Sequence, residues 1–376
     1  MSTPDSEEDS AERATLKLLF AGSDWSSVLQ GLELAASLDP DFVSVFCEGV
    51  SISDEGEIVT TGDWIKQTGV RPSNRDNAAL LALSLRPGEG LAKAERLKLI
   101  DLENLSDVRP LSTAAALSDL QISNCPELDD LSPLSELASL RRLSVSACAN
   151  GARLPRFGPS TGVERLALSG LSCRDLSELG HLTELVSLGL HSITGLADLN
   201  ALSACSRLSR LRINQCRGLG DLRPLAALSS LSWLDIEGPA GISDLSPLSG
   251  LVELEELRLA DLQFDQQGIR PLGPLKKLHT LDLGGSRLTG FDTLLDFPLL
   301  ESLVLPKEAV FDDVVEGDKS SLLKDMTTLL GLRNQHQIFE GNAIADAVAA
   351  ATLIELLFDP ANAASWEPCR DRISAV

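Results

Sequence analysis

Seven cysteines and four histidines are the groups in this chain best suited to nucleophilic or metal chemistry, and their spacing decides whether they do it. A zinc or redox site needs thiolates and imidazoles close together, most simply as a Cys-x-x-Cys pair. No such pair occurs, and the odd number of cysteines shows no spacing of a secreted disulfide framework. A Ser or Cys nucleophile needs a base within hydrogen-bond reach. His181, His191, His279 and His336 are widely separated, and no Ser/His/Asp or Cys/His set assembles from neighbouring positions. Cys369 lies near the end of the chain with no histidine around it and reads as a tail cysteine. Phosphate-cradling Gly-x-x-x-x-Gly-Lys-Ser/Thr is absent, and Gly88-Glu89-Gly90 and Gly284-Gly285 belong to turns. One acidic column remains: Asp107, Asp130, Asp175, Asp198, Asp221 and Asp244. It either offers Ca²⁺ a ladder of carboxylates or satisfies the turn amides at each corner. The expectation is therefore no catalytic residue, no cofactor and no metal.

The elements that hold these residues follow from a repeat. A Leu-x-Leu (or Leu-x-Ile/Val) step starts at Leu97, Leu120, Leu143, Leu166, Leu188, Leu211, Leu234, Leu257, Leu281 and Leu303, at intervals of 22 to 24 residues. An apolar residue precedes each step by three positions, as at Leu117, Leu140, Val163 and Leu208. Each unit thus contains a short strand with alternate residues buried. Asp-Leu/Val-x-Pro-Leu then recurs at Asp107, Asp130, Asp221 and Asp244, with looser forms at Asp175 and Asp198. Proline fits the first position of a short helical turn, where its missing N–H costs nothing. A unit therefore runs strand, loop, one-turn helix or 3₁₀ segment. It cannot bury its leucines alone, so neighbours must stack.

This pattern resembles the leucine-rich-repeat family, in the short-period class of internalins and of the regulatory subunit of protein phosphatase 1. The resemblance covers roughly residues 80–306 and implies an α/β solenoid: a horseshoe of about ten repeats with a parallel, concave β-sheet. The family places Asn, sometimes Cys, three residues past the last strand leucine. Here that column holds Leu102, Cys125, Cys148, Leu171, Ile193, Cys216, Pro239, Leu262 and Ser286, with no Asn. Cys125, Cys148 and Cys216 are thereby expected as buried, metal-free ladder residues.

Around the array, residues 1–15 form an acidic tail expected to be disordered, and residues 16–80 a mixed N-terminal capping region. Within that region helices are expected over Val28–Leu38 and Phe42–Glu48, and Ile52–Val59 brackets a hairpin turn at Asp54-Glu55-Gly56. Leu83 and Leu85 suggest an extra, degenerate strand. The array spans 81–306. Residues 307–376 form a helical C-terminal cap and tail, with helices over Ser320–Leu332 and Asn342–Phe358 and packing through Trp366.

Composition narrows the function. The net charge of −23 opposes nucleic acid and anionic membranes, and aromatics make up only 4% with no Tyr. No apolar run is long enough to span a membrane. The start, Met1 to Asp9, has neither a basic nor an apolar signal region, so cytoplasmic residence is expected. The resemblance implies a bacterial protein that binds another protein without catalysis, a scaffold or recognition module. A secreted bacterial effector or toxin-neutralising protein with one dedicated target is the alternative. Oligomeric state is open.

Residues beside the strand leucines project from the concave face. There Arg142, Arg165, Arg210 and Arg212, with Arg141 alongside, make a basic patch next to Trp233, Asp235 and Glu237, and Arg258 follows one repeat later. Arg and Trp are enriched in binding hot spots. The same arginines could instead pair with local acids such as Asp119, Glu164 and Glu256. Ser144, Ser146, Ala167, Ser169 and Gly189 leave room for a partner to come close.

Overall fold

Alternation of leucine with polar residues places one face of each strand in the core, and the computed structural model shows the result. It describes residues 46–304 except 69, 87–88, 150–153, 155, 159–160, 239–240, 265–267, 285, 287–292 and 294–295, together with residues 30 and 338–339. The chain divides into two compact units, Met1–Thr194 and Gly195–Val376.

In the N-terminal unit residues 46–48 are helical, within the expected helix Phe42–Glu48, and a hairpin of β1 (Val50–Ile52) and β2 (Ile58–Thr60) follows, antiparallel about the expected Asp54-Glu55-Gly56 turn. Gly56 has φ 87°, and a Cβ there would stand 3.1 Å from the Arg96 carbonyl oxygen, so only glycine suits the site. The hairpin covers the edge of the first array strand: Lys98 N–H donates to the Gly56 carbonyl at 2.7 Å. An edge strand so covered is no longer a template for another chain. Helices α1 (Trp64–Thr68) and α2 (Arg75–Ser84) follow, with Trp64 fully buried against Phe46.

Leu83 and Leu85 do not form the extra strand. Leu83 is buried in α2 and Leu85 follows it, 39% exposed. Their spacing imitates the strand step, but Pro72 starts a 3₁₀ turn that leads into Arg75, and the run Ala78–Ala82 is strongly helix-forming. The helix runs across the expected boundary between cap (16–80) and array (81–306) and ends at Ser84. It closes the end of the array with polar chemistry: buried Asn77 accepts from Ser106 and Asp107 N–H, each at 3.0 Å, and donates to the Asn104 carbonyl at 2.9 Å.

Strands β3 (Arg96–Ile100), β4 (Asp119–Cys125), β5 (Arg142–Cys148), β6 (Arg165–Ser169) and β7 (Ser187–His191) then pair in parallel, in chain order. Equivalent leucines meet in register, Leu97 with Leu120, Leu143, Leu166 and Leu188 in turn, all at most 3% exposed. The 3₁₀ turns Arg109–Thr113, Ser132–Glu136 and Ser177–Leu179 lie opposite the sheet and bury Leu111, Leu134 and Leu179. The core is the layer between.

The C-terminal unit repeats this plan with β8 (Arg210–Asn214), β9 (Trp233–Glu237), β10 (Glu256–Ala260), β11 (Thr280–Asp282) and β12 (Ser302–Val304). Neighbours pair in parallel in chain order, and β13 (Ile338–Phe339) joins beyond β12. Its 3₁₀ turns begin at Asn200, Arg223, Ser246 and Arg270, with proline in the first two positions of the last three. The expected acidic tail, the helix over Val28–Leu38 apart from its helical residue 30, the C-terminal helices, Trp366, Cys369 and His336 lie outside the described residues.

Candidate functional site: the outward faces of the strands

The acidic column has a structural answer. Each of its six aspartates accepts a hydrogen bond from the backbone N–H two residues on, at 2.6–2.9 Å. Asp107 and Asp221 also take the guanidinium of the arginine two residues on. The carboxylates therefore cap their own 3₁₀ turns. Hydrogen bonds from the Ser177 side chain and then its amide hold Asp175 below the ordinary carboxylate range, Ser246 does the same for Asp244, and the Arg223 side chain leads for Asp221. Because the folded state lowers these pKa values, the stability they add is complete above the usual value near ~4. It is lost as pH falls through the lower folded values. Added Ca²⁺ should leave Tm at neutral pH unchanged in a thermal scan; a clear rise would return these carboxylates to metal binding.

The thiol column is buried as expected. Cys125 and Cys216 are fully buried and Cys148 nearly so, and their sulfurs approach backbone carbonyls at 3.5–3.7 Å. Burial pushes Cys125 up to about 12 and Cys148 to about 11. Nucleophilic reaction needs the thiolate, so a thiol reagent should leave Cys125, Cys148 and Cys216 unmodified in the native protein and label them once denaturant unfolds it. Fast native labelling of all three would overturn the ladder assignment. Ser286, in the same column, has a ladder role that its position alone did not assign: it is buried, donates to the Leu259 carbonyl at 2.7 Å and accepts from Leu262 N–H at 2.9 Å. That is the hydrogen bonding an Asn would supply in this column.

The residues singled out for binding occupy outward strand positions in both units. In the N-terminal unit Arg142 and Arg165 are in register on β5 and β6, and both are exposed. Arg142 pairs with Asp119 at 2.8 Å, while Arg96 reaches the same carboxylate oxygen at 3.4 Å. Pairing with Asp119 is thus the outcome at Arg142. Arg165 has no hydrogen bond or ion pair on its guanidinium among the described residues. Arg141 departs from the patch: it turns back to the Ala138 and Leu140 carbonyls.

In the C-terminal unit the register sets Arg210 beside Trp233 and Glu256, and Arg212 beside Asp235 and Arg258. Arg212 Nε donates to Asp235 Oδ2 at 2.9 Å, and its guanidinium carbon lies 5.2 Å from the Trp233 ring centroid. Trp233 Nε1 donates to Glu256 Oε2 at 2.9 Å. Glu256, expected as an arginine partner, thus orients the indole instead. Glu237 accepts from Asn214 Nδ2 at 3.1 Å. Asp235 is only 6% exposed and satisfied by Arg212. Arg210 and Arg258 are exposed, and their guanidiniums have no partner among the described residues. The unit thus fixes one arginine and one tryptophan and leaves two arginines available to another molecule.

Strands in parallel chain order over a leucine core, six of them followed by an aspartate-capped 3₁₀ turn, define an α/β solenoid of leucine-rich repeats. Among solved structures the chain is similar to internalin C2 of Listeria monocytogenes, with 19% identity over 62% of this chain and 92% of that one, and a TM-score of 0.44. It is also similar to the functional domain of InlJ from the same organism, which includes a cysteine ladder, with 22% identity, 57% and 45% coverage and a TM-score of 0.45. A leucine-rich-repeat protein of Leptospira interrogans matches at 17% identity, 57% and 60% coverage and a TM-score of 0.38. The sequence matches no protein-family model and no curated relative.

Proposed function

We propose that this chain is a non-catalytic scaffold that binds another protein through the outward faces of its strands. The observation that carries the reading is the pairing of availability with order in the C-terminal unit. Arg210 and Arg258 are exposed without partners among the described residues, beside an indole held by Arg212 and Glu256. Exposed guanidiniums around an ordered aromatic give a partner strong contacts at little further loss of side-chain entropy. The groups most able to do chemistry are otherwise engaged: the aspartates cap turns, and the ladder thiols are buried.

Affinity capture with the full chain tests this. Proteins retained by the wild type should be lost with Arg210→Glu plus Arg258→Glu and kept with Lys277→Glu, whose lysine pairs with Glu253 away from the strand face. Capture indifferent to the strand-face changes removes the proposal.

A further inference from the structure

The outward face of β3–β7 stands out from the rest of the chain by its charge. It carries four bases, Arg96, Lys98, Arg142 and Arg165, against a single acid, Asp119, in a protein whose net charge is −23. Asp119 is shared between Arg142 and Arg96, so one carboxylate answers two guanidiniums. Lys98 has only a long surface contact to Glu57, at 3.9 Å. Arg165 is exposed and unpaired among the described residues. Next to Arg142 and Arg165 the face becomes shallow. Ser144, Ala167 and Gly189 are in register across β5, β6 and β7, and a Cβ on Gly189 would meet only the Ala167 Cβ, at 3.9 Å. Beyond them Ser146 and Ser123 join hydroxyl to hydroxyl at 3.0 Å.

We propose, resting on the protein-binding reading above, that this face docks an extended acidic segment of a partner protein. Carboxylates of the segment sit on Arg142 and Arg165, and its backbone lies over Ser144, Ala167 and Gly189. Guanidinium forks pair carboxylates bidentately. Adjacent strands are ~4.8 Å apart and an extended chain advances ~3.3 Å per residue, so acids one or two positions apart can reach both arginines. The small residues let the segment approach without steric cost. A nucleic acid would use the same positive charge, but single-stranded recognition relies on aromatic platforms. The outward positions of β3–β7 include no Phe, Trp or Tyr and only the imidazole of His191, and the net charge of −23 opposes a long polyanion more than a segment with two carboxylates.

Short random peptides displayed on phage, panned on the full-length chain, test the proposal. The wild type should enrich sequences with two acids within three positions. Arg165→Glu should reduce that enrichment about tenfold or more, as a like-charge contact does, and Arg165→Lys should retain part of it. Among the described residues Arg165 has no partner to lose, so both variants should keep the wild-type Tm, which a thermal scan checks. Oligothymidine added as a competitor should displace the peptides only at low salt. No enrichment, acidic peptides indifferent to Arg165→Glu, or oligothymidine binding as tightly as the peptides would each overturn the proposal. Enriched peptides without acids, yet lost with Arg165→Glu, would overturn this assignment and leave the protein-binding reading standing.

Discussion

Leu234→Ala should lower the stability of the folded chain by about 2–5 kcal/mol, the range for truncating a buried leucine. Leu234 is fully buried on β9, in register with Leu211 on β8 and Leu257 on β10, themselves fully buried. Two losses add: the transfer free energy of the removed methyl groups, and the cavity they leave. The second should be near the top of its range here. Leu211 and Leu257 are fixed by their own strand pairings and cannot slide in to fill the gap, so relaxation is small. Urea unfolding followed by circular dichroism gives the loss from the shift in midpoint at constant m-value. Val252→Ala is the matched control, because Val252 is 48% exposed and such sites change stability by only about half a kcal/mol. A Leu234→Ala loss no larger than the control's would mean that the periodic leucines face solvent.

The stack of leucines was legible in the sequence because a fixed repeat converts position into face. Once Leu97 is assigned inward, Leu120 through Leu303 follow, and so do the outward columns containing Arg142 and Arg212. The aspartate caps were legible for the same reason, since a residue two positions before a 3₁₀ turn has only one set of amides nearby. What the period does not fix is the choice among neighbours one repeat apart. Glu256 lies in register with Trp233, and only the side-chain rotamers give its oxygen to the indole rather than to an arginine. Asn214 and Glu237 are likewise register partners whose hydrogen bond depends on rotamers. Leu83 misled for a different reason. Two leucines at strand spacing fit a helix equally well when both neighbouring turns are out of view, and the Ala-rich run before them tips the balance.

Trp233→Ala should weaken binding of the partner recovered by capture by about 2 kcal/mol or more, close to thirtyfold in Kd. The indole is half-buried among its own neighbours: Arg212 covers the ring, Glu256 holds Nε1, and Asp235 holds Arg212 in turn. A ring fixed before the partner arrives keeps most of its contact energy as affinity. Trp233→Phe separates the contributions, since it retains a ring for Arg212 and removes the hydrogen bond to Glu256; its loss should be smaller than that of alanine. The structure also settles which charge change is clean. Arg212→Glu would face the buried Asp235 carboxylate and leave it unpaired, a cost of about 1–3 kcal/mol to folding. Arg210→Glu breaks no pair among the described residues and should keep the wild-type Tm. It should slow association, and the slowing should shrink as salt is raised, because an exposed charge acts by steering. Stopped-flow association at two ionic strengths reads this directly. Unchanged affinity in Trp233→Ala, together with unchanged association in Arg210→Glu, would move the binding surface off the strands of the C-terminal unit.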